Sequence, residues 1–194
     1  MDYFVHDTAV VDDGAIISKG VKIWHFSHVM SDSVIGEGCN LGQNVVIHPG
    51  VVLGGNVKVQ NNVSIYSGVI CDDDVFIGPS AVFTNVKNPR SHIVRKKEYQ
   101  ETYLERGVSV GANATVICGV RLGAFAMIGA GAVVTKDVAP FALLVGNPAR
   151  HIGWVSRSGI RLEFDENGIA QCDEGKDWYR KIEDRVSVFE NNKK

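Results

Sequence analysis

The sequence predicts an all-β fold, a parallel β-helix in which very short strands wind around one continuous core. Three observations support it: apolar side chains recur every six residues, a small or β-branched side chain follows four residues after each, and glycine often comes directly after the apolar position. A period of six fits neither an amphipathic helix (3.6) nor a half-buried strand (2). It fits triangular coils of about 18 residues, stacked about 4.8 Å apart.

The first block of this period runs from Val5 to Phe83 without a polar residue at any apolar position. Its members are Val5, Val11, Ile17, Ile23, Val29, Ile35, Leu41, Ile47, Leu53, Val59, Ile65, Cys71, Ile77 and Phe83. A second block in the same pattern comprises Val110, Val116, Leu122, Ile128 and Val134. These side chains are therefore expected to point inward and to form the core.

A charged segment interrupts the period between the two blocks, at about residues 87–107. Phe83 and Val110 are 27 positions apart, where the repeat requires six. Long loops inside a compact solenoid are usually functional. The period ends after Pro140, so we predict a β-helix domain over residues 1–150 and a small C-terminal appendage over residues 151–194, with a short strand at 160–164 and a turn at 165–168.

Composition and charge restrict the possible functions. The net charge of −2 over 194 residues gives no general attraction to nucleic acid or to an anionic membrane. The four cysteines lack Cys-x-x-Cys spacing and no histidine set has zinc-site spacing, which predicts reduced, buried thiols and no metal. The N-terminus has no secretory pattern and no apolar run is long enough for a bilayer, so a cytoplasmic location is expected.

Stacking of the coils predicts a polar patch on one corner of the prism. Residues 18 apart should lie one above the other, which brings together Gln43, Asn44, Gln60, Asn61 and Asn62. Ladders of asparagine and glutamine commonly satisfy backbone groups at such corners. A structural role and a ligand-binding role are both open for this patch.

The inserted segment offers a second candidate site. Asn85 stands at its start, and Arg90, Ser91, Arg95 and Lys96 follow within eleven positions (96 minus 85). A basic, flexible loop on a rigid scaffold suits a phosphate-bearing ligand. The alternative is a solvated charged loop without a ligand, and three nearby glutamates favour it. The interruption of the repeat favours a ligand-binding role.

Several segments resemble a known family. They are Gly42-Gln43-Asn44-Val45, the run from Gln60 to Tyr66, Phe83-Thr84-Asn85-Val86, Asn88-Pro89-Arg90-Ser91 and the run from Val145 to Arg150. Over about residues 1–155 the chain resembles hexapeptide-repeat acyltransferases with a left-handed β-helix. It is most similar to the UDP-2-acetamido-3-amino-2,3-dideoxy-glucuronate N-acetyltransferases, which act in O-antigen precursor synthesis. The left hand follows from this resemblance, since the general rule for parallel crossovers predicts a right hand.

The resemblance implies a site and an assembly. Asn85 would orient the sugar 3-amino group by a hydrogen bond, without a dedicated histidine base. The acceptor substrate would contact Gln43, Asn62, Arg90, Ser91, Arg95 and Lys96. Acetyl-coenzyme A, as cosubstrate, would contact Ala112, Ala130, Lys136, Asn147, Pro148 and Arg150. Relatives are homotrimers with active sites between subunits, which implies the same arrangement here.

Rival hypotheses share the fold but differ in chemistry. A dTDP-linked 3-amino-dideoxy sugar would need the same mechanism, and the residues do not distinguish it. An O-acetyltransferase would need a base for a hydroxyl acceptor, for which His25, His28 and His92 are the histidines to test. A γ-type carbonic anhydrase needs three converging histidines, which the spacing does not provide. A purely structural β-helix would leave unexplained both the inserted loop with its cations and a second basic cluster, Lys136 and Arg150.

Overall fold

A computed structural model describes residues 2–190, and its strands follow the six-residue period. The strands before the inserted loop are β1 (Phe4–Val5), β2 (Val10–Val11), β3 (Ile16–Ile17), β4 (Lys22–Ile23), β5 (His28–Val29), β6 (Val34–Ile35), β7 (Asn40–Leu41), β8 (Val46–Ile47), β9 (Val52–Leu53), β10 (Lys58–Val59), β11 (Ser64–Ile65), β12 (Val69–Cys71), β13 (Phe76–Ile77) and β14 (Val82–Phe83). The strands after it are β15 (Thr102–Leu104), β16 (Ser109–Val110), β17 (Thr115–Val116), β18 (Arg121–Leu122), β19 (Met127–Ile128), β20 (Val133–Val134), β21 (Ala142–Val145), β22 (Arg150–Trp154), β23 (Ile169–Gln171), β24 (Trp178–Ile182) and β25 (Arg185–Phe189).

Every third strand of the coil joins the same parallel sheet, so three sheets form the faces of a prism. Sheet A has the order β1-β4-β7-β10-β13-β16-β19-β21, sheet B the order β2-β5-β8-β11-β14-β17-β20, and sheet C the order β3-β6-β9-β12-β15-β18. Register is kept from coil to coil; Val59, for example, pairs with Leu41 on one side and Ile77 on the other. The predicted fold class, an all-β left-handed parallel β-helix, is confirmed.

The core consists of the side chains that the period marked as inward-facing. From Ile23 to Val134 the second or third residue of each strand is at most 2% exposed. Val5, Val11 and Ile17 are only partly buried, because they belong to the first coil and no other coil covers its outer end. The period therefore identifies the inward direction correctly, while burial also depends on neighbouring coils.

The corners of the prism require unusual backbone geometry. At the corner between sheets A and B, successive coils place a residue with positive φ: Phe26, Asn44, Asn62, Ser80, Asn113 and Gly131. Glycine and asparagine tolerate this left-handed conformation, whereas it is rare for bulky residues. Glycine directly after the apolar position has another cause, since a Cβ on Gly78 would lie 2.7 Å from the backbone nitrogen of Ala112.

The inserted loop is shorter than the predicted 87–107. Strand β15 belongs to the coil: Leu104 pairs with Cys71 and is 1% exposed, so the loop itself spans residues 84–101. Leu104 is followed by Glu105 and Arg106 instead of glycine. Because of these charges, the sequence does not show that the six-residue period has already resumed at Leu104. Both are satisfied outside the core, by Arg121 at 2.8 Å and by Asp74 at 2.9 Å respectively.

The residues after the coil form an antiparallel region. Strand β22 runs back along β21, and β23, β24 and β25 make a separate three-stranded sheet. Tyr179 of β24 is fully buried, and its hydroxyl accepts a hydrogen bond from the backbone N–H of Arg157. The predicted turn at 165–168 is present, but 160–164 form no strand beyond a bridge from Val155 to Arg161. In the part of the chain described, no helix is long and apolar enough to cross a membrane.

Candidate active site

The loop forms a cavity of about 340 Å³ directly beside the coil. Its lining brings together five residues that the sequence nominated, Asn85, Arg90, Ser91, Arg95 and Lys96. The rest of the lining is Val86, Pro89, Ile93, Val94 and Tyr99. The cavity thus combines one amide, three cationic side chains and apolar walls, which suits an anionic ligand with a polar reacting group.

Asn85 is held in place by contacts on both sides. The carbonyl oxygen of Asn85 accepts a hydrogen bond from the N–H of Gln100 at 3.0 Å, so the loop closes where it began. The preceding residue, Thr84, accepts a bond at its hydroxyl from the N–H of Cys118, one coil further on, at 2.9 Å. Asn85 is half-buried. Its backbone is therefore fixed to the rigid coil although the residue lies at the edge of a loop.

The cations of the cavity differ in availability. Both carboxylate oxygens of Glu98 accept bonds from Nη1 of Arg95, at 2.9 and 2.7 Å, across the short 3-10 helix Lys96–Glu98. Within the described range 2–190, Arg90 donates only to the carbonyl of its neighbour Pro89, at 3.0 Å. Arg90 and Lys96 are exposed. An incoming anion can meet these two directly, whereas Arg95 must exchange its partner.

An aromatic column above Thr84, the neighbour of Asn85, was not predicted from the sequence. Tyr66 lies one coil above Thr84, and His48 lies one coil above Tyr66, with ring centroids 4.5 Å apart. Burial and the nearby charge of His28 lower the pKa of His48 below its ordinary value. The 18-residue register would have placed both side chains here, because the column positions are 48, 66 and 84.

The polar patch occupies a different corner, between sheets A and B. Gln43 lines a second cavity of about 260 Å³ together with Trp24, His25, Asn40, Gly42, Gln60 and Asn61. Asn62 is not part of that lining. It adopts a φ of 62° and accepts a bond at Oδ1 from Nδ2 of Asn44 at 3.1 Å. Of the patch's two open roles, this ladder favours the structural one for Asn62.

The residues nominated for the cosubstrate lie on two corners. Ala112 and Ala130 follow successive strands of sheet A, and Asn147 and Pro148 follow β21 at the same corner. Lys136 lies on the other corner, in one column with Asn85 and Cys118. Arg150 begins β22 and is exposed. Since one ligand cannot follow two corners of one prism, this set is divided within a single chain.

Two family models match the repeats. "Bacterial transferase hexapeptide (six repeats)" covers residues 14–49, and "Hexapeptide repeat of succinyl-transferase" covers 34–67 and 102–136. A dTDP-3-amino-3,6-dideoxy-alpha-D-galactopyranose 3-N-acetyltransferase of Aneurinibacillus thermoaerophilus is 39% identical over 170 residues, covering 87% of this chain and 88% of that protein. The chain is a hexapeptide-repeat acetyltransferase.

Other similarities of this acetyltransferase concern its fold. The Bifunctional protein GlmU of Thermotoga maritima is 31% identical over 73% of the chain, which spans only 30% of the GlmU length. The acetyltransferase domain of PglB from Neisseria gonorrhoeae FA1090 superposes with a TM-score of 0.56 at 22% identity, covering 77% of this chain and 57% of that domain. A hexapeptide transferase family protein from Anaplasma phagocytophilum also gives 0.56, at 20% identity, with 78% and 81% covered.

The three histidines that the sequence offered as bases, His25, His28 and His92, do not line the cavity of Asn85. His25 lines the sheet A–sheet B cavity and stacks on His6 at 3.5 Å between centroids. His28 contacts Oδ1 of Asp12 through Nε2 at 2.9 Å. His92 is exposed on the loop and does not belong to the cavity lining. None of these three shares the cavity of Asn85.

The cysteines of the acetyltransferase are free and buried, as predicted. Burial raises the pKa of Cys71 and of Cys39 above the ordinary thiol value, which suppresses their nucleophilicity. Among residues 2–190, no group of three or more His, Cys, Asp or Glu side chains is arranged to hold a metal ion.

Proposed function

We propose that this acetyltransferase transfers the acetyl group of acetyl-coenzyme A to the 3-amino group of a nucleotide-linked amino sugar. The observation that supports this most is the loop cavity, whose lining includes Asn85, Arg90 and Lys96. An amide near the coil can orient an amine, and cations further out can bind a pyrophosphate. The relative from Aneurinibacillus thermoaerophilus, whose name states 3-N-acetylation of a dTDP-linked sugar, supports the same reaction class.

The proposed mechanism needs orientation more than proton abstraction. The carboxamide oxygen of Asn85 accepts a hydrogen bond from the neutral amine and directs the nitrogen lone pair at the thioester carbonyl. The new C–N bond forms as the carbonyl electrons move onto oxygen, where backbone N–H groups of the coil turns stabilise the oxyanion. Collapse of this intermediate breaks the C–S bond. The leaving thiolate takes the surplus proton from nitrogen, which balances the reaction without a histidine.

For the acceptor we propose UDP-2-acetamido-3-amino-2,3-dideoxy-glucuronate, in the synthesis of surface polysaccharide precursors in the cytoplasm. The segment from Phe83 to Ser91 supports it by resemblance, and the loop carries more cations than a pyrophosphate alone requires. A dTDP-linked 3-amino-3,6-dideoxyhexose is the alternative, supported by the relative at 39% identity. A uronic acid adds a carboxylate, so the two substrates differ in the positive charge that they need.

We further propose a homotrimer with its active sites between subunits. The division of the nominated residues over two corners supports this, because Ala112 and Ala130 follow sheet A whereas Asn85 and Lys136 follow sheet B. A neighbouring copy could bring the second corner to the first. Acetyl-coenzyme A would then lie along the later coils, with Lys136 and Arg150 near its phosphates.

The test measures release of the coenzyme A thiol from acetyl-coenzyme A in the presence of UDP- or dTDP-linked 3-amino sugars. Wild-type protein is expected to turn over at least one of them, and Asn85→Ala is expected to lower kcat by about 100-fold with little change in the KM for acetyl-coenzyme A. Asn88→Ala is the matched control, since Asn88 is exposed on the same loop but does not line the cavity. Full activity in Asn85→Ala would refute the role of Asn85. Turnover of hydroxyl acceptors only would refute the proposed reaction.

A further inference from the structure

The cavity at the corner between sheets A and B is lined by amides and aromatic rings. Its members come from three successive coils and include Trp24, His25, Asn40, Gln43 and Asn61. A volume of about 260 Å³ is sufficient for a single flat ring and its surrounding contacts. The proposed acetyl transfer at Asn85 uses none of these side chains, and among them only Gln43 was nominated from the sequence as an acceptor contact.

Two hydrogen bonds fix how the amides face the cavity. Nε1 of Trp24 donates to Oδ1 of Asn40 at 2.9 Å, and the backbone N–H of Gln43 donates to Oδ1 of Asn61 at 2.9 Å. Each carboxamide oxygen thereby already accepts one hydrogen bond, and the two NH₂ groups are the donors that the amides offer. Such a pair complements carbonyl oxygens, and the nearby Gln60 side chain can accept an N–H between them.

Aromatic rings continue this surface toward the first coil. His25 stacks on His6 at 3.5 Å, lies nearly parallel to the Trp24 ring at 6.3 Å, and is 6.2 Å from the ring of Phe26. Phe4 packs against Trp24 at 5.2 Å. Exposed flat rings beside hydrogen-bonding amides are the usual means of binding a nucleobase, which offers a π face and a polar edge.

Phe26 is the strongest indication that the surface binds a ligand. Its φ is 58° and its side chain is 60% exposed, so it has neither a favourable backbone nor a buried position. Later coils place small or polar residues at the same corner position, beginning with Asn44 and Asn62. Phe125 and Phe141 share this φ but stack on each other, whereas the exposed Phe26 lacks such a packing reason, and strained positions of that kind cluster at functional sites.

The position of the cavity along the prism suits the acceptor. His25, Gln43 and Asn61 begin a column that continues through Pro79 to Ala112 and Ala130. The coil of Pro79 also carries β14, which Asn85 follows. At about 4.8 Å per coil, the cavity lies roughly 5–15 Å before the level of Asn85, and Ala112 and Ala130 lie beyond it. This interval matches the extent of a nucleoside diphosphate.

We propose that this corner cavity binds the diketopyrimidine base, uracil or thymine, of the nucleotide-linked acceptor. Phe26, which stands beside His25 outside the cavity lining, provides the stacking surface at its rim. The inference rests on the proposed function, whose substrate it specifies. The donor amides face the two carbonyl oxygens of the base, and Gln60 accepts its N3–H. Because Asn85 lies on another corner, the amine meets an Asn85 that a neighbouring subunit supplies.

The test measures binding of UDP, dTDP and GDP to the full chain by calorimetry, beside kinetics with the preferred amino sugar. Phe26→Asn replaces the ring with a residue that favours a positive φ, so its melting temperature is expected to equal or exceed that of the wild type. Its affinity for the pyrimidine diphosphate is expected to fall about tenfold, the usual effect of losing one stacking ring. Trp24→Phe, which releases Asn40, is expected to weaken binding while keeping an aromatic ring.

Ile182→Asn is the matched control, because Ile182 is 64% exposed on the distant C-terminal sheet. Unchanged pyrimidine binding in both cavity variants, equal affinity of the wild type for GDP, or a loss of trimer mass in Phe26→Asn with intact binding would overturn the proposal. Absence of acetyl transfer by the wild type, with binding of UDP still dependent on Phe26, would refute the proposed function and leave the nucleotide site standing.

Discussion

The hydroxyl of Thr84 accepts a hydrogen bond from the backbone N–H of Cys118, at 2.9 Å, at the point where the inserted loop leaves the coil. The backbone N–H of Thr84 itself still bonds to Val116 at 3.1 Å. The side chain therefore continues the stacking of the coil for one more residue, up to the point where the loop departs. Asn85 is the next residue and receives a position defined by the coil.

Thr84→Val is expected to lower kcat without raising the KM for acetyl-coenzyme A. Valine keeps the shape of threonine but leaves the Cys118 N–H without its partner, which costs about 1–3 kcal/mol of stability and loosens Asn85. Steady-state kinetics together with thermal unfolding measure both effects. Thr84→Ser retains the hydroxyl and should restore kcat. If the serine variant were as slow as the valine variant, the hydrogen bond would not be what positions Asn85.

The ion pair between Arg95 and Glu98 predicts that one substitution increases the affinity for the amino sugar nucleotide. Glu98 occupies Arg95 with two hydrogen bonds, so a substrate phosphate or carboxylate must displace it. Glu98→Gln removes the competing charge and is expected to lower the KM for the amino sugar nucleotide about threefold, while Arg95→Gln is expected to raise it. Initial rates at several substrate concentrations measure this. The KM must fall in Glu98→Gln and rise in Arg95→Gln. A higher KM in both variants would mean that the ion pair only stabilises the loop.

The periodicity predicts the coil almost completely, because one simple constraint acts at every sixth residue. Leu104 shows where this fails: its outward neighbours Glu105 and Arg106 carry charges that are neutralised by residues on other coils. A single hexad cannot reveal partners from other coils. The antiparallel sheet that contains Tyr179 has no repeat, and its strands depend on tertiary contacts that local patterns do not encode.

The candidate site was predictable in part. The loop residues are close in sequence, so a single cavity containing Asn85 and Arg90 follows from their spacing. Whether an amide such as Asn62 or Gln43 faces a neighbour or a cavity depends on φ and on hydrogen bonds to other coils. The stacking of Tyr66 above Thr84 could have been found from the register, but an isolated tyrosine gives no chemical signal.

Asp74 is expected to make stability depend on acid pH. The side chain of Asn56 and the guanidinium of Arg106 both donate to it, which holds its pKa below the ordinary value of 3.8. A carboxyl with a lowered pKa contributes stability above its unfolded value, and this is lost as the pH falls through the folded pKa. Asp74→Asn keeps a residue suited to the local φ of 61° and removes only the charge.

Urea unfolding at pH 7 and near pH 3 measures the contribution of Asp74. The variant should be less stable than the wild type at pH 7, and the difference should shrink near pH 3 as the wild-type carboxyl becomes protonated. A constant difference at both pH values would show that the shape of the corner matters and the charge does not. Asp72→Asn is a suitable control, because Asp72 is an exposed carboxylate on the same coil.

If the protein forms the proposed homotrimer, mixed trimers test how the two corners combine. Asn85→Ala disables one corner and Phe26→Ala impairs the other, so neither homotrimer should be fully active. If each site joins Asn85 of one subunit to the Phe26 corner of its neighbour, random 1:1 mixing gives about one quarter of the sites both intact residues. Thiol-release activity of the co-purified mixture should then rise to about a quarter of the wild-type value at low substrate concentration. Sites built within a single subunit would contain one defect each, and the mixture would do no better than the mean of the two variants.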